Sequence, residues 1–260
     1  MLDEPLVPLP PSGRVYRAGR RVCLGDASPS QRLRLDAAAR YLQDVGNDDT
    51  ADSGFDAAVG TVAGGFWVVR RAVIDVLAAP RWGEWIDLAT WCSGIGGRWA
   101  ERRLTMTSDG GGRIEVDTLW VHLDPETLAP ARLPDVFMGL YGEAAQGRRA
   151  SARRWLVPPP SETSGMERVG WPLRTVDFDV NGHVNNAAYW AAVEEILADH
   201  RDHPAHHSHG RPTRSVMEFG GGIEPDSTVE LLVSLEEKHV DIWFTVDATV
   251  MATVRVLTLG

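Results

Sequence analysis

Val176 to Leu197 reads VDFDVNGHVNNAAYWAAVEEIL. Asp179, Asn181 and His183 stand at every second position, and a helix follows. Side chains two apart point the same way in an extended or tightly turned chain. An acid, an amide and an imidazole therefore face one spot. Asn185 or Asn186 supplies the N-cap, so the unpaired N–H groups of the first turn, near Gly182–Val184, lie beside that spot. Such a set suits attack of water on a carbonyl, with Asp179 as base or nucleophile and backbone donors for the developing oxyanion. The same residues also fit a plain capping turn, because Asp and Asn ahead of a helix commonly bond the backbone. Asn185 and Asn186 read as caps rather than as chemistry. The helix, about Asn185–His200, carries Ala187, Ala188, Ala191 and Ala192, a face of small residues that lets it lie close against a curved sheet.

Strands surround that helix. One spans about Glu167–Val176 before it; others follow near Thr213–Phe219, Thr228–Leu235, Val240–Val246 and Val250–Leu257. The first half repeats this order. A strand at Arg14–Leu24 precedes a helix at Leu33–Val45, whose Leu35, Ala38, Ala39, Leu42 and Val45 form one apolar stripe. A polar, glycine-rich loop, Asn47–Gly65, leads to strands at Phe66–Val76, Trp85–Cys92, Trp99–Thr107 and Arg113–Leu123. SDGGG at Ser108–Gly112 is a hairpin turn between the last two. The pattern breaks from Pro134 to Gly165, which reads as linker. The fold class is α+β: two tandem repeats, each an antiparallel sheet around one helix. They occupy residues 1–145 and 166–260, with 146–165 between them. Residues 1–13 form a proline-rich lead-in, expected to be extended and poorly ordered.

The repeats differ in chemistry. Asp26, Ser28 and Ser30 stand roughly where Asp179, Asn181 and His183 stand in the second, so one site per chain is expected. His200, His203, His206, His207 and His209 crowd one loop, but without a Cys or carboxylate cluster they read as a solvated loop rather than a metal site. Gly110–Gly112 and Gly220–Gly222 open no helix and are not phosphate loops. No metal and no cofactor is therefore expected. Trp67, Trp82, Trp85, Trp91, Trp99 and Trp120 either line an apolar channel or belong to the core. Cys23 and Cys92 read as reduced core residues.

The segment D-x-N-x-H-V-N-N at Asp179–Asn186, followed by Tyr189 and Glu195, resembles the active-site segment of the acyl-acyl-carrier-protein thioesterases of bacteria and plastids. Trp67–Arg71 (WVVRR), Pro80–Glu84 (PRWGE), Ile86-Asp87, Trp91 and Arg102-Arg103 resemble that family's first domain, in the same order. The resemblance runs roughly from Tyr16 to Leu257. It implies a double hotdog fold and hydrolysis of fatty acyl thioesters to free fatty acid and carrier protein. Asp179, Asn181 and His183 would be catalytic, and the acyl chain would lie in the first repeat. An acyl-CoA thioesterase, or an acyl-binding protein of weak activity, is the alternative. One departure stands out. Plant members carry an acid and a cysteine shortly before an Asp-Ser pair, and those positions here are Gly222 and Ile223. Glu224 or Glu218 would have to replace the acid.

A net charge of −10 argues against nucleic-acid and anionic-membrane partners. No apolar run reaches the about 18 residues of a membrane span, and the N-terminus carries no secretory pattern. A cytoplasmic protein is expected, and a homodimer is compatible with the sequence. Acyl-carrier proteins are acidic, so docking one needs local basic charge. GRRASARR at Gly147–Arg154 places Arg148, Arg149, Arg153 and Arg154 together, either as a solvated linker or as a docking patch, with Arg168 and Arg174 as neighbours.

Overall fold

The computed structural model describes residues 2, 4–56, 66–206 and 210–259. The first repeat comprises β1 (Tyr16–Arg21), α1 (Leu35–Asp52), β2 (Phe66–Ala78), β3 (Trp85–Ile95), β4 (Trp99–Ser108) and β5 (Arg113–Leu123). The second comprises β6 (Glu167–Trp171), α3 (Asn186–Asp199), β7 (Thr213–Phe219), β8 (Val229–Leu235), β9 (His239–Val246) and β10 (Thr249–Thr258). Between them lies α2 (Asp135–Ala145). All strands join one antiparallel sheet in the order β1-β3-β4-β5-β2-β7-β10-β9-β8-β6. The second half of that order is the first half reversed, so the expected duplication is realised as two sheets fused edge to edge through β2 and β7.

Alternation along the strands separates two faces. Ala72, Ile74 and Val76 of β2, Leu104 and Met106 of β4, and Val254 and Val256 of β10 pack with α1 and α3 into one core. The two helices lie against each other within it.

Two expectations about helices need correction. The first helix runs beyond Val45 to Asp52, into the stretch read as loop; residues 57–65 of that stretch lie outside the described residues. Its last turns carry no apolar stripe. Instead the buried Asp49 accepts from Arg14 Nε at 2.7 Å and Arg102 Nη1 at 2.6 Å. Ion pairing holds this end, which a hydrophobic period cannot reveal. The stretch from Pro134, read as linker, begins with α2. Its Phe137, Tyr141 and Ala145 pack with Phe55, Cys92 and Leu133 in a second, smaller cluster. Tyr141 donates to Ser53 Oγ at 3.0 Å, tying α2 to the end of α1. Cys23 is exposed, not in the core; Cys92 is buried, which pushes its thiol up to about 12.

The opposite sheet face is charged yet covered. Arg214 on β7 grips Asp75 on β2 and donates to Leu2 O and Glu4 O; Arg103 Nε donates to Val7 O at 2.9 Å. Leu2, Glu4 and Val7 of the lead-in are thus held through carbonyls bound to buried arginines, contrary to the expectation of poor order; residues 1 and 3 lie outside the described residues. The linker is fixed likewise. Arg71 donates to Arg153 O at 3.1 Å and stacks 3.8 Å from the Trp155 ring, while Glu218 accepts from the amides of Trp155 and Leu156 at 2.9 and 3.0 Å.

Glu101, beside Arg71, is pushed up to about 7, first by burial and then by the Asp117 charge. Its folded value lies above the unfolded one of about 4.3. Its contribution to stability is therefore full below about pH 4.3 and is lost as pH rises through 7. Glu101→Gln keeps the acceptor for Arg71 and removes this loss. Its melting temperature should rise relative to wild type between pH 5 and 8; an offset constant across that range would refute the assignment.

Candidate active site

The turn before α3 is built by a short hydrogen-bonded reversal. Asp179 N–H donates to His183 O at 3.0 Å, and Gly182 N–H donates to Asp179 O at 3.0 Å. Gly182 sits at φ +78°, where a glycine avoids Cβ strain. The backbones of Asp179 and His183 therefore meet across a reversal, not along one extended strand. Asp179 Oδ1 accepts from Asn181 N–H at 2.8 Å, an Asx turn that holds the carboxylate in place. Asn181 is exposed. Asn185 caps α3, accepting from Ala187 N–H at 2.8 Å, as its residue type predicts.

The acid missing at Gly222 has an answer in the fold. A Cβ on Gly222 would lie 2.8 Å from the His183 ring, so no side chain fits there with the ring in this place. Glu224, two residues on, meets His183 Nε2 at 2.9 Å. Facing an ionised carboxylate, which only accepts, Nε2 donates, and a neutral ring then offers Nδ1 as acceptor. Glu218, the other candidate, is occupied by the linker amides.

A cleft of about 730 Å³ runs between α1 and α3. Asp179 lines it, with Arg40 and Gln43 of α1 and Ala188 and Ala191 of α3; His183 and Asn181 do not. Ala187 and Ala192 of the small-residue face are buried as expected, whereas Ala188 and Ala191 are half-buried and leave the cleft its room. Val176 and Val180 stand at its lip with exposed apolar side chains. The six tryptophans read as channel or core are not among its lining residues; Trp91 is buried, and Trp82 and Trp85 are exposed. The oxyanion donors need revision. Gly182 N–H is spent on Asp179 O and Val184 N–H on Ile223 O at 3.0 Å. Among the described residues, the N–H groups of His183 and Asn186 keep no internal acceptor.

The first repeat holds a matching turn, but in a different register from the one read in the sequence. Ser28 N–H donates to Arg32 O at 2.8 Å, Gln31 N–H to Ser28 O at 2.8 Å, and Gln31 sits at φ +67°. Arg34 N–H reaches Asp26 O as Asn185 N–H reaches Asp177 O. Asp26 thus matches Asp177, while Asp179, Asn181 and His183 match Ser28, Ser30 and Arg32. The aspartates made a misleading landmark; the hydrogen-bonded reversal fixes the true register.

The His-rich loop is held by pairs: His200 Nε2 meets Glu167 at 2.9 Å and His203 Nε2 donates to Glu236 O at 2.6 Å. His207 and His209 lie outside the described residues, among which no His, Cys, Asp or Glu cluster could hold a metal. Nor is any described helix long and apolar enough to cross a membrane. Of the four arginines after α2, Arg148 is tied into the fold by Ser93 O at 2.8 Å and Ala144 O at 3.0 Å; Arg149, Arg153 and Arg154 are exposed.

Residues 13–141 match the family model for the acyl-ACP thioesterase N-terminal domain, and residues 161–249 match that for the C-terminal domain. An uncharacterized protein of Mycobacterium tuberculosis is 35% identical over 241 residues, covering 93% of this chain and 90% of its own. Chloroplastic oleoyl-acyl carrier protein thioesterase 1 of Arabidopsis thaliana is 24% identical over 66% of this chain, which spans 52% of the plant protein. Among solved structures, the 12:0-ACP thioesterase from Umbellularia californica superposes with a TM-score of 0.76 at 20% identity, over 94% of this chain and 96% of that one. An acyl-ACP thioesterase from Bacteroides thetaiotaomicron gives 0.71 at 14% identity, over 94% and 97%. At such identities the likeness carries the fold, a double hotdog.

Proposed function

We propose that Asp179, Asn181 and His183 act at the α1–α3 cleft, on the premise that this chain belongs to the acyl-acyl-carrier-protein thioesterase family. Its reaction is hydrolysis of an acyl thioester, with acyl-carrier protein as the carrier. Asp179 carries the argument: it alone of the three lines the cleft, and the Asx turn leaves its second oxygen uncommitted among the described residues. In this reading Asp179 takes a proton from water as the water attacks the thioester carbonyl. His183, held by Glu224, offers Nδ1 to orient that water, and the exposed Asn181 polarises the substrate. The free N–H groups of His183 and Asn186 would serve the oxyanion. Val176 and Val180 at the lip suit an apolar acyl chain, whose far end would lie in the first repeat. A cytoplasmic location belongs to the same reading.

Three exposed arginines on an acidic chain favour an acidic carrier, because local charge steers encounter even where net charge repels. The test is a hydrolysis panel over acyl chain lengths on carrier protein and on coenzyme A, at low and physiological salt. Faster kcat/KM on the carrier protein, with an advantage that shrinks as salt rises, is expected. Equal rates on both carriers would favour an acyl-CoA thioesterase, and no turnover on either would favour acyl binding alone.

A further inference from the structure

The matched turns allow the two helices to be compared position by position. The ninth residue of α1 is Gln43, and the ninth of α3 is Glu194. Each reaches the turn of the other repeat. Glu194 accepts from Arg32, which stands in the place of His183, and from Leu35 N–H at 2.7 Å. That pair is almost wholly buried, so the first turn is closed by an ion pair. Gln43 meets a different partner. Its Nε2 donates to Asn185 Oδ1 at 3.1 Å, the same oxygen that accepts Ala187 N–H at 2.8 Å. Gln43 also lines the cleft beside Asp179.

Partner chemistry dictates the residue at each place. Around Glu194 the neighbours are donors, so a carboxylate fits. Asn185 Oδ1 only accepts, so position 43 must donate. A carboxylate there would set two acceptors face to face. Were Asn185 to flip and donate instead, Ala187 N–H would lose its cap.

We propose that Gln43 is a positioning residue supplied by the first repeat, which locks Asn185 and the start of α3 against the Asp179 turn and so completes the site. The proposal rests on the catalytic reading above. It also explains why one turn works: an amide keeps the second open to the cleft, whereas Arg32 and Glu194 seal the first.

The test compares wild type, Gln43→Ala, Gln43→Glu and Asp179→Asn on any acyl thioester the wild type turns over. Misplacing a site by about 1 Å can cost on the order of 100-fold, so Gln43→Ala should lose about 10- to 100-fold in kcat with KM within about threefold. Gln43→Glu should be as weak at pH 8 but recover relative to wild type near pH 5, where a protonated Glu can donate. The charged groups lining the cleft around it are Asp36, Arg40 and Asp44 on α1 and Arg174, Asp177 and Asp179 on the turn, with none from α3. Wild-type kcat in Gln43→Ala, or no low-pH recovery in Gln43→Glu, overturns the proposal. Asp179→Asn separates the causes. If it is inactive while Gln43→Ala is not, only the role of Gln43 falls; if it is active, the catalytic reading falls and this one with it.

Discussion

Asp179→Asn is expected to lower kcat/KM by at least about 100-fold, the lower end of what a general base or nucleophile contributes. The substitution keeps the shape and keeps an oxygen for the Asn181 amide, so the Asx turn survives. What it removes is the one carboxylate at the cleft whose second oxygen the Asx turn leaves uncommitted among the described residues. The melting curve should not move. The matching residue of the first turn, Ser28, offers no carboxylate and bonds Ser30 at 2.8 Å, so no second site is available to hide the loss. Steady-state kinetics on the best carrier found in the hydrolysis panel decides the matter. Activity within about threefold of wild type would move the chemistry away from Asp179.

Arg214→Met is expected to cost about 3–5 kcal/mol of folding stability, the typical penalty for stranding one partner of a buried ion pair. Arg214 and Asp75 face each other across the β2–β7 seam, joined by two bonds of 2.7 and 2.6 Å with both side chains buried. They are the bidentate link where the repeats fuse. Removing the guanidinium leaves Asp75 charged and dry, and frees Leu2 O and Glu4 O as well. Against a total of about 5–15 kcal/mol, that is a large share. Replacing both partners, Asp75→Leu with Arg214→Met, should recover most of it, since two apolar groups leave no orphan charge. Urea unfolding of the single and double variants gives the answer. A single variant within about 1 kcal/mol of wild type would mean that the seam does not depend on this pair.

Much of this was legible in the sequence because it depends on local order. Alternation and apolar periods gave the strands and the cores of α1 and α3, and their recurrence gave the duplication. The motif at Asp179–Asn186 gave the family, and Asn185 announced itself as a cap. These features repeat at fixed short intervals, so one dimension is enough to display them.

What escaped the sequence depends on partners distant in the chain. The end of α1 is held by Arg14 and Arg102 on Asp49, and α2 finds its apolar partners in Phe55 and Cys92. The lead-in and linker look like free chain until buried arginines claim their carbonyls. The register between the two turns escapes the sequence because a shared residue type is a weaker guide than a shared hydrogen-bond pattern. Only the fold could show that Glu224 rather than Glu218 meets His183, and that a residue at 222 must be glycine while that ring stays in place. Only the fold sets Gln43 beside Asn185, 142 positions away. The sequence lists which groups can donate and accept, but which of them meet is decided when the sheet closes around the helices.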